Sequence, residues 1–223
     1  MEGEASRLPT VIFENGLGVR YQNWSDVQPE IASVTRTCAY DRLGAGQSDP
    51  VAEDDTRTPF ELVATLRALL REVGVEGPYV LVGHSIAGFI LFAYPHLHPD
   101  DVAGLVFVDS SHPEQFERLQ VENPATGERP TTLGAERIDA LASLSKLADV
   151  GDFGDLPVAV LHQARDTGRP SWSIWVELQE SHAARSSCSR LIPATNSGHH
   201  VHNDEPELVI EAIRWILGGV EGC

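Results

Sequence analysis

Residues 78–87 read Pro-Tyr-Val-Leu-Val-Gly-His-Ser-Ile-Ala, an apolar run that passes directly into a turn around Ser85. The run predicts a buried strand, and residues 86–94 after it predict a helix. A sharp strand-to-helix turn lifts a serine hydroxyl above the end of a sheet and aims the N–H of the next residue, Ile86, at a reacting carbonyl oxygen. Ser85 is therefore a candidate nucleophile, and such a serine needs a base and an acid as partners.

Short apolar runs alternate with helical patterns along the rest of the chain. A helix is predicted between the second and third runs, because Thr58 can serve as its N-cap with Pro59 in the first turn and Glu61 three residues after the cap. Another helix begins at Pro206. Alternation of this kind predicts the α/β fold class, with a mostly parallel sheet and helices on both faces. The predicted strands are residues 10–13, 37–40, 78–82, 104–108, 158–162 and 189–192.

Residues 110–156 interrupt this alternation. They contain no strand pattern, residues 121–134 are rich in Pro, Gly, Thr and charge, and residues 136–148 predict a weak amphipathic helix. We interpret the segment as a small lid inserted into a single domain that spans residues 1–223.

The composition argues against several classes of partner. A formal net charge of −17 at pH 7 disfavours nucleic acid and anionic membrane, because binding to either requires an excess of Lys and Arg. Residues 1–9 lack an apolar signal core, and no apolar run is long enough to cross a bilayer. We expect a cytoplasmic protein that binds a small molecule, and its oligomeric state is not predicted. The three cysteines, which are expected to be free thiols, are Cys38, Cys188 and Cys223.

The ends of the predicted strands bring chemically useful side chains together. In a parallel sheet the ligand site lies beyond the carboxyl ends of the strands. Ser85 follows the third predicted strand, Asp109 the fourth, Asp166 the fifth and His199 the last. A serine, two candidate acids and a histidine should therefore project from one edge, in the chain order Ser, Asp, His.

From Thr10 to Leu217 the chain resembles the α/β-hydrolase superfamily. Residues 83–87 resemble the nucleophile elbow, although Ala87 stands where glycine is usual. Asp41-Arg42 with Gly44, Gly46 and Ser48 is similar to a loop typical of that family, and Ser197-Gly198-His199 with Pro206 is similar to its catalytic-histidine loop and following helix. Residues 1–9 are too short for the usual first hairpin, so we expect a sheet that starts at Thr10.

The resemblance implies a role for each candidate. Ser85 is the nucleophile and His199 the base, and the N–H groups of Leu17 and Ile86 form the oxyanion hole. Asp109 is favoured as the acid because an apolar strand would hold it rigidly and the residues after it resemble a subgroup whose acid lies there. Asp166 is the alternative, because it lies in the register where many relatives carry the acid.

The implied activity is that of a serine hydrolase that cleaves a small carboxylic ester, thioester or lactone through an acyl-enzyme, without a cofactor. A serine at the elbow argues against the epoxide hydrolase and dehalogenase branches, which use an aspartate there. The alternatives are acyl transfer and a member of the fold that binds a ligand without turning it over.

Two histidines near the candidate base raise the question of a metal. His200, His202 and Asp204 resemble the first metal motif of metallo-hydrolases. The next histidine of that motif is missing, because Glu205 occupies its position, and no second cluster follows. We therefore expect no metal site and no metal-dependent hydrolase, and we interpret His200 and His202 as pocket-lining or surface residues.

The remaining histidines and tryptophans are assigned structural roles. His84 is expected to pack or hydrogen-bond behind the nucleophile. Trp172 and Trp175 lie at helical spacing and are expected to pack in the core. The histidines expected on the surface are His96, His98 and His182.

Overall fold

A computed structural model describes residues 1–119, 132–139, 142, 147, 150–165, 168 and 171–219. The strands in these residues are β1 (Thr10–Glu14), β2 (Thr37–Ala39), β3 (Tyr79–His84), β4 (Val102–Val108), β5 (Thr132–Leu133), β6 (Ile138–Asp139), β7 (Val158–Gln163) and β8 (Ser189–Ala194). Six of them form one sheet in the order β2-β1-β3-β4-β7-β8, and all neighbours in it are parallel. All the predicted strands are therefore present, and the predicted α/β class is confirmed.

Helices connect the strands of this sheet. They are α1 (Gln28–Ala32), α2 (Pro59–Glu72), α3 (Gly88–Leu97), α4 (Gln115–Arg118), α5 (Ser171–Ala184), α6 (Val201–Asp204) and α7 (Pro206–Leu217). The predicted capping box starts α2, because the Thr58 N–H donates to the Glu61 carboxylate at 2.7 Å. The helix predicted from residue 86 begins as a 3-10 turn at Ser85–Ala87 and continues as α3.

The core lies on both faces of the sheet. Successive strand residues point to opposite faces, so Leu81 belongs to an apolar cluster with Leu66 of α2 and Phe89 of α3. Its neighbour Val80 belongs to a second cluster that contains Ile213 of α7. Burial on both faces explains why the central strands read as continuous apolar runs.

Residues 110–156 differ from the prediction in two ways. β5 and β6 form an antiparallel pair, so the expectation of no strand there is wrong. The predicted helix does not begin at residue 136, because residues 134–137 form a turn with positive φ at Gly134 and Arg137, which a helix cannot accommodate. Ala142 and Leu147 are helical. Much of the predicted lid, including residues 120–131 and 143–146, lies outside the described residues.

The N-terminus and the cysteines add two details. The sheet starts at Thr10 as expected, and Glu2 adds one isolated antiparallel bridge to Thr37. Cys38 is a buried free thiol, whereas Cys188 is disulfide-bonded. The expectation of a free thiol is therefore wrong for Cys188, because the spacing of cysteines in the sequence does not show which ones meet in the fold. Cys223 lies outside the described residues.

Throughout the described ranges, each helix is either too short or too polar to cross a lipid bilayer.

Candidate active site

Ser85 lies on the turn between β3 and α3. Its φ of 55° is in the left-handed region, which non-glycine residues avoid and which recurs at functional turns. The turn is tightly packed, since a Cβ on Gly83 would lie 2.6 Å from Leu91 Cδ1 and 3.1 Å from the Ala87 Cβ. A side chain at position 83 would therefore displace Leu91 and crowd Ala87, while the methyl group of Ala87 is fully buried and fits.

Asp109 and His199 meet at the carboxyl edge of the sheet. Asp109 directly follows β4, and His199 lies in the loop between β8 and α6. The Asp109 side chain is completely buried, and His199 Nδ1 lies 2.6 Å from its Oδ2. Because Nδ1–H donates to the carboxylate, Nε2 of a neutral imidazole keeps its lone pair. The His199 side chain is 40% exposed, so a substrate can approach it.

The second oxygen of Asp109 is also occupied. Oδ1 accepts from the backbone N–H of Gln163 at 3.0 Å and from Trp175 Nε1 at 2.8 Å. Charge-assisted bonds of this kind fix the plane of a carboxylate. The helical spacing of Trp175 predicts core packing and does not indicate this contact, which depends on how α5 lies across the sheet. Asp166, the alternative acid, lies outside the described residues.

The loop after β1 and the turn after β3 carry the two predicted oxyanion donors. Their strands are direct neighbours, with Phe13 paired to Val82. Among the described residues, the backbone N–H groups of Leu17 and Ile86 donate to no acceptor. An oxyanion hole requires donors that are unpaired in this way.

A buried ion cluster lies beneath the loop after β1. Arg42 is 4% exposed, Glu14 and Glu136 are completely buried, and Arg42 bonds Glu14 Oε2 at 3.0 Å and Glu136 Oε2 at 2.6 Å. Burial raises the pKa of Glu14, although Arg42 opposes the change. Burial tends to lower the pKa of Arg42, but the two carboxylates outweigh it and the pKa is raised. Arg42 is therefore a permanent cation inside the protein.

The same cluster fixes the backbone of the loop. Arg42 donates to the carbonyl oxygen of Asn15 at 2.7 Å and to that of Gly16 at 3.0 Å. Glu136 Oε1 accepts from the Gly18 N–H at 2.7 Å. The residues before and after Leu17 are therefore both held by hydrogen bonds to the cluster. The Arg42 loop can be found by its resemblance to the family, but a role for Glu136 cannot be predicted, because nothing in the pattern of residues 136–148 shows that this side chain is buried.

Three further imidazoles surround the buried His84. His84 is 1% exposed, and its Nε2 donates to the carbonyl oxygen of His199 at 2.9 Å, a hydrogen bond of the kind expected for it behind the candidate nucleophile. Its ring centroid lies 4.6 Å from that of His199, 5.2 Å from that of His200 and 4.4 Å from that of His202. Burial lowers the pKa of His84 to about 2, and the neighbouring imidazoles add to the effect. Burial also lowers the pKa of His202 to about 3, so both rings are neutral at neutral pH.

The structure narrows the prediction for His202 and corrects the one for His182. His202 is completely buried against Trp24, with ring centroids 4.6 Å apart, which excludes the surface position of its two predicted alternatives. His182 is also completely buried, because α5 packs this side chain onto the sheet, where it stacks on Phe107 at 4.4 Å. His96 is exposed as expected.

A large cavity lies away from these residues. Its volume is about 690 Å³, and it is lined by Pro95, Pro99, residues 150–153 and residues 155–157. It lies at the end of α3 that is farthest from Ser85 and contains neither Asp109 nor His199. We therefore do not assign it to the chemistry at the edge of the sheet.

Comparison with known proteins agrees with the fold. Residues 9–187 match the alpha/beta hydrolase fold family. The chain is 30% identical to an AB hydrolase superfamily protein of Gibberella zeae, over 95% of this chain and 87% of that protein. Some curated relatives are much longer, since the chain spans 39% of one and 16% of another.

Solved structures share the same architecture. A thermophilic esterase from Thermogutta terrifontis matches with a TM-score of 0.65 at 21% identity, covering 96% of this chain and 89% of that one. An epoxide hydrolase from metagenomes of hot environments matches with a TM-score of 0.72 at 18% identity, covering 98% and 93%. At these identities the likeness shows the fold alone. Together with the family match, it establishes that the chain belongs to the α/β-hydrolase fold family.

Proposed function

We propose that this protein is a serine hydrolase that cleaves a small carboxylic ester through an acyl-enzyme. The observation that carries the proposal is the 2.6 Å hydrogen bond between His199 Nδ1 and the buried Asp109, on the same edge of the sheet as the turn of Ser85. A histidine oriented by a buried carboxylate is the base that activates a serine.

Each step of the reaction uses one of these groups. His199 Nε2 removes the proton of the Ser85 hydroxyl as Oγ attacks the ester carbonyl. The N–H groups of Leu17 and Ile86 donate to the oxyanion that forms, and Asp109 stabilises the imidazolium. The protonated His199 then gives its proton to the leaving alcohol. Water, deprotonated by His199, attacks the acyl-Ser85 ester and releases the acid.

The residue at the elbow distinguishes between the reactions of similar folds. Both an esterase and an epoxide hydrolase resemble this structure. Epoxide hydrolases and dehalogenases use an aspartate as nucleophile, whereas this chain has Ser85. Thioesters and lactones present the same carbonyl to a serine and belong to the proposed substrate class.

Replacement of Ser85 tests the proposal. We expect the wild-type protein to hydrolyse at least one short-chain p-nitrophenyl ester and to be labelled by a fluorophosphonate probe at Ser85. Ser85→Ala should lose the label, and its kcat should fall by about 10⁴ to 10⁶ if the three residues act as a unit. The exposed Ser187→Ala serves as a control and should retain both properties. Equal rates of Ser85→Ala and wild type, or a wild-type protein that is neither labelled nor active, would contradict the proposal.

A further inference from the structure

The imidazoles around His84 form a cluster that the proposed reaction does not use. His84, His200 and His202 each offer a ring nitrogen, and these three atoms lie within 4.8 Å of one another. The sequence pattern suggested Asp204 as the companion of His200 and His202, but Asp204 Oδ2 instead accepts from the Gly198 N–H at 3.2 Å. The fold thus brings a third histidine, the last residue of β3, to the pair that precedes α7.

The three rings have nitrogens available for a ligand. Nδ1 of His84 and Nδ1 of His202 are buried and have no hydrogen-bond partner among the described residues. Nε2 of His84 donates to the His199 carbonyl oxygen, which leaves the lone pair on Nδ1. Nε2 of His202 lies against the Asn23 amide nitrogen and accepts from it, so a metal binds Nδ1 of His202 only when the Asn23 amide turns and its oxygen accepts the proton on Nε2. Metal-bound imidazoles are oriented in this way through their second nitrogen.

Two buried imidazoles with unpartnered nitrogens require an explanation, because an unsatisfied buried polar atom is costly. We propose that His84, His200 and His202 bind a divalent ion of the zinc class, with water as the fourth ligand. Neutral imidazoles suit Zn²⁺, and three nitrogen ligands with an open fourth position are a common zinc arrangement.

The site needs a small movement to close around the ion. Ligand nitrogens of a tetrahedral zinc are about 3.4 Å apart for Zn–N bonds of about 2.0–2.1 Å, less than the 4.8 Å that spans the cluster. His200 supplies this movement, because it is exposed and its imidazole makes no hydrogen bond within the described part of the chain. The buried His84 and His202 form the fixed half of the site.

Zinc at this site inhibits ester hydrolysis, a consequence that rests on the proposed function. The ring of His199 lies 4.6 Å from that of His84 and 5.5 Å from that of His200. When zinc draws His200 towards His84, it pulls on the backbone next to His199, the proposed base. The ion also adds positive charge beside the imidazolium of His199 that must form during the reaction.

Direct titration with Zn²⁺ tests the site independently of any activity. Protein freed of metal by a chelator is titrated with ZnCl₂ in a calorimeter, and Co²⁺ is used as a spectroscopic probe of tetrahedral coordination. We expect one strong site in the wild type and at least tenfold weaker binding in His200→Ala, which removes one exposed ligand. His96→Ala removes an exposed histidine on α3 and should bind as the wild type does. Wild-type affinity in His200→Ala, or an equal loss in both variants, would overturn the site.

Inhibition is measured separately, so that the two proposals can fail separately. Added Zn²⁺ should lower the rate of ester hydrolysis by the wild type and by His96→Ala over the same concentrations at which Zn²⁺ binds. Inhibition of His200→Ala should require at least a tenfold higher Zn²⁺ concentration. Strong binding of Zn²⁺ without inhibition of an active enzyme would overturn the inhibitory role. Strong binding to a protein without esterase activity would support the site and count against the proposed function.

Discussion

At the scale of single residues, Asp109 is held firmly by its backbone and by both carboxylate oxygens. Its φ of 45° and its complete burial follow from its position directly after β4, where its N–H still donates to Leu161 at 2.7 Å. Both carboxylate oxygens have partners, so the side chain has one orientation. A carboxylate fixed in this way selects the tautomer of His199 that can act as a base.

Asp109→Asn tests this role. We expect kcat for ester hydrolysis to fall by about 10⁴, because an amide can hold the histidine in the wrong tautomer while the geometry is retained. Asp166→Asn is the comparison, and its kcat should stay within a few fold of the wild type. If instead only Asp166→Asn falls to the level of Ser85→Ala, the assignment of Asp109 is wrong.

Trp175 is predicted to act through Asp109. In Trp175→Phe the aromatic ring remains but the 2.8 Å hydrogen bond to Oδ1 is lost. The loss of one charge-assisted bond costs about 1–2 kcal/mol, so kcat should fall roughly 5- to 30-fold while KM changes little. Trp172→Phe, on the same helix, is the matched control, because its Nε1 has no hydrogen-bond partner in the described structure. Equal effects of the two variants in steady-state kinetics would count against a positioning role for Trp175.

At the scale of elements, the turn between β5 and β6 joins the inserted segment to the loops after β1 and β2. Gly44 packs against this turn so closely that a Cβ on it would lie 2.5 Å from the Ala135 carbonyl oxygen. Arg57 donates to the Glu136 carbonyl oxygen at 2.7 Å and pairs with Ile138 through an isolated bridge. The turn is thereby fixed so that the Glu136 carboxylate points inward to Arg42.

Glu136→Gln should reduce both stability and activity. The amide keeps an acceptor for the Gly18 N–H, but it removes one of the two negative charges that face buried Arg42. We expect the free energy of unfolding, measured by urea denaturation, to fall by about 3 kcal/mol. The loop after β1, which carries the candidate oxyanion donor Leu17, then loosens. At a temperature where the variant is folded, kcat should therefore fall by a larger factor than KM rises. Asp101→Asn, which breaks the surface pair with Arg67, should cost less than about 1 kcal/mol and leave kcat unchanged. Similar losses in the two variants would contradict the role of the buried cluster.

At the scale of the whole molecule, several buried histidines make folding sensitive to acid. Burial lowers the pKa of His84 to about 2 and the pKa values of His112 and His202 to about 3, compared with 6.5 in the unfolded chain. Below pH 6.5 the unfolded state therefore binds more protons than the folded state. The free energy of unfolding therefore keeps its full value above pH 6.5 and decreases as the pH falls from 6.5 towards 3.

The free energy of unfolding should consequently fall steeply between pH 6.5 and pH 5. Well below pH 6.5, each of these histidines lowers the free energy of unfolding by up to about 1.4 kcal/mol for each pH unit of acidification. Urea denaturation at pH 7.5, 6.0 and 5.0 measures this slope. His112→Gln should make it shallower, whereas His96→Gln, which changes an exposed ring, should not. An unfolding free energy that does not change over this range would contradict the prediction.

The sequence was sufficient to predict the sheet and the edge where the candidates lie. Strands buried on both faces leave continuous apolar runs, and the residue after each run is placed by the topology, which is why Asp109 and His199 could be expected to meet. Trp175, Glu136 and the contacts of His84 could not be predicted, because each depends on how a helix or a turn lies over the sheet. The hairpin at residues 132–139 was missed because each of its strands has two residues, too few to show alternation.

The buried carboxylate of Glu136 limits how freely this protein can be remodelled. Exchanging residues 110–156 for the corresponding piece of a relative is a natural way to give such an enzyme a new specificity. In this chain the exchange would also remove one of the two counter-charges of Arg42 and the acceptor of the Gly18 N–H. A chimera would therefore need to carry over the short turn at residues 134–137 together with its glutamate, so that the insertion and the catalytic framework must be inherited together.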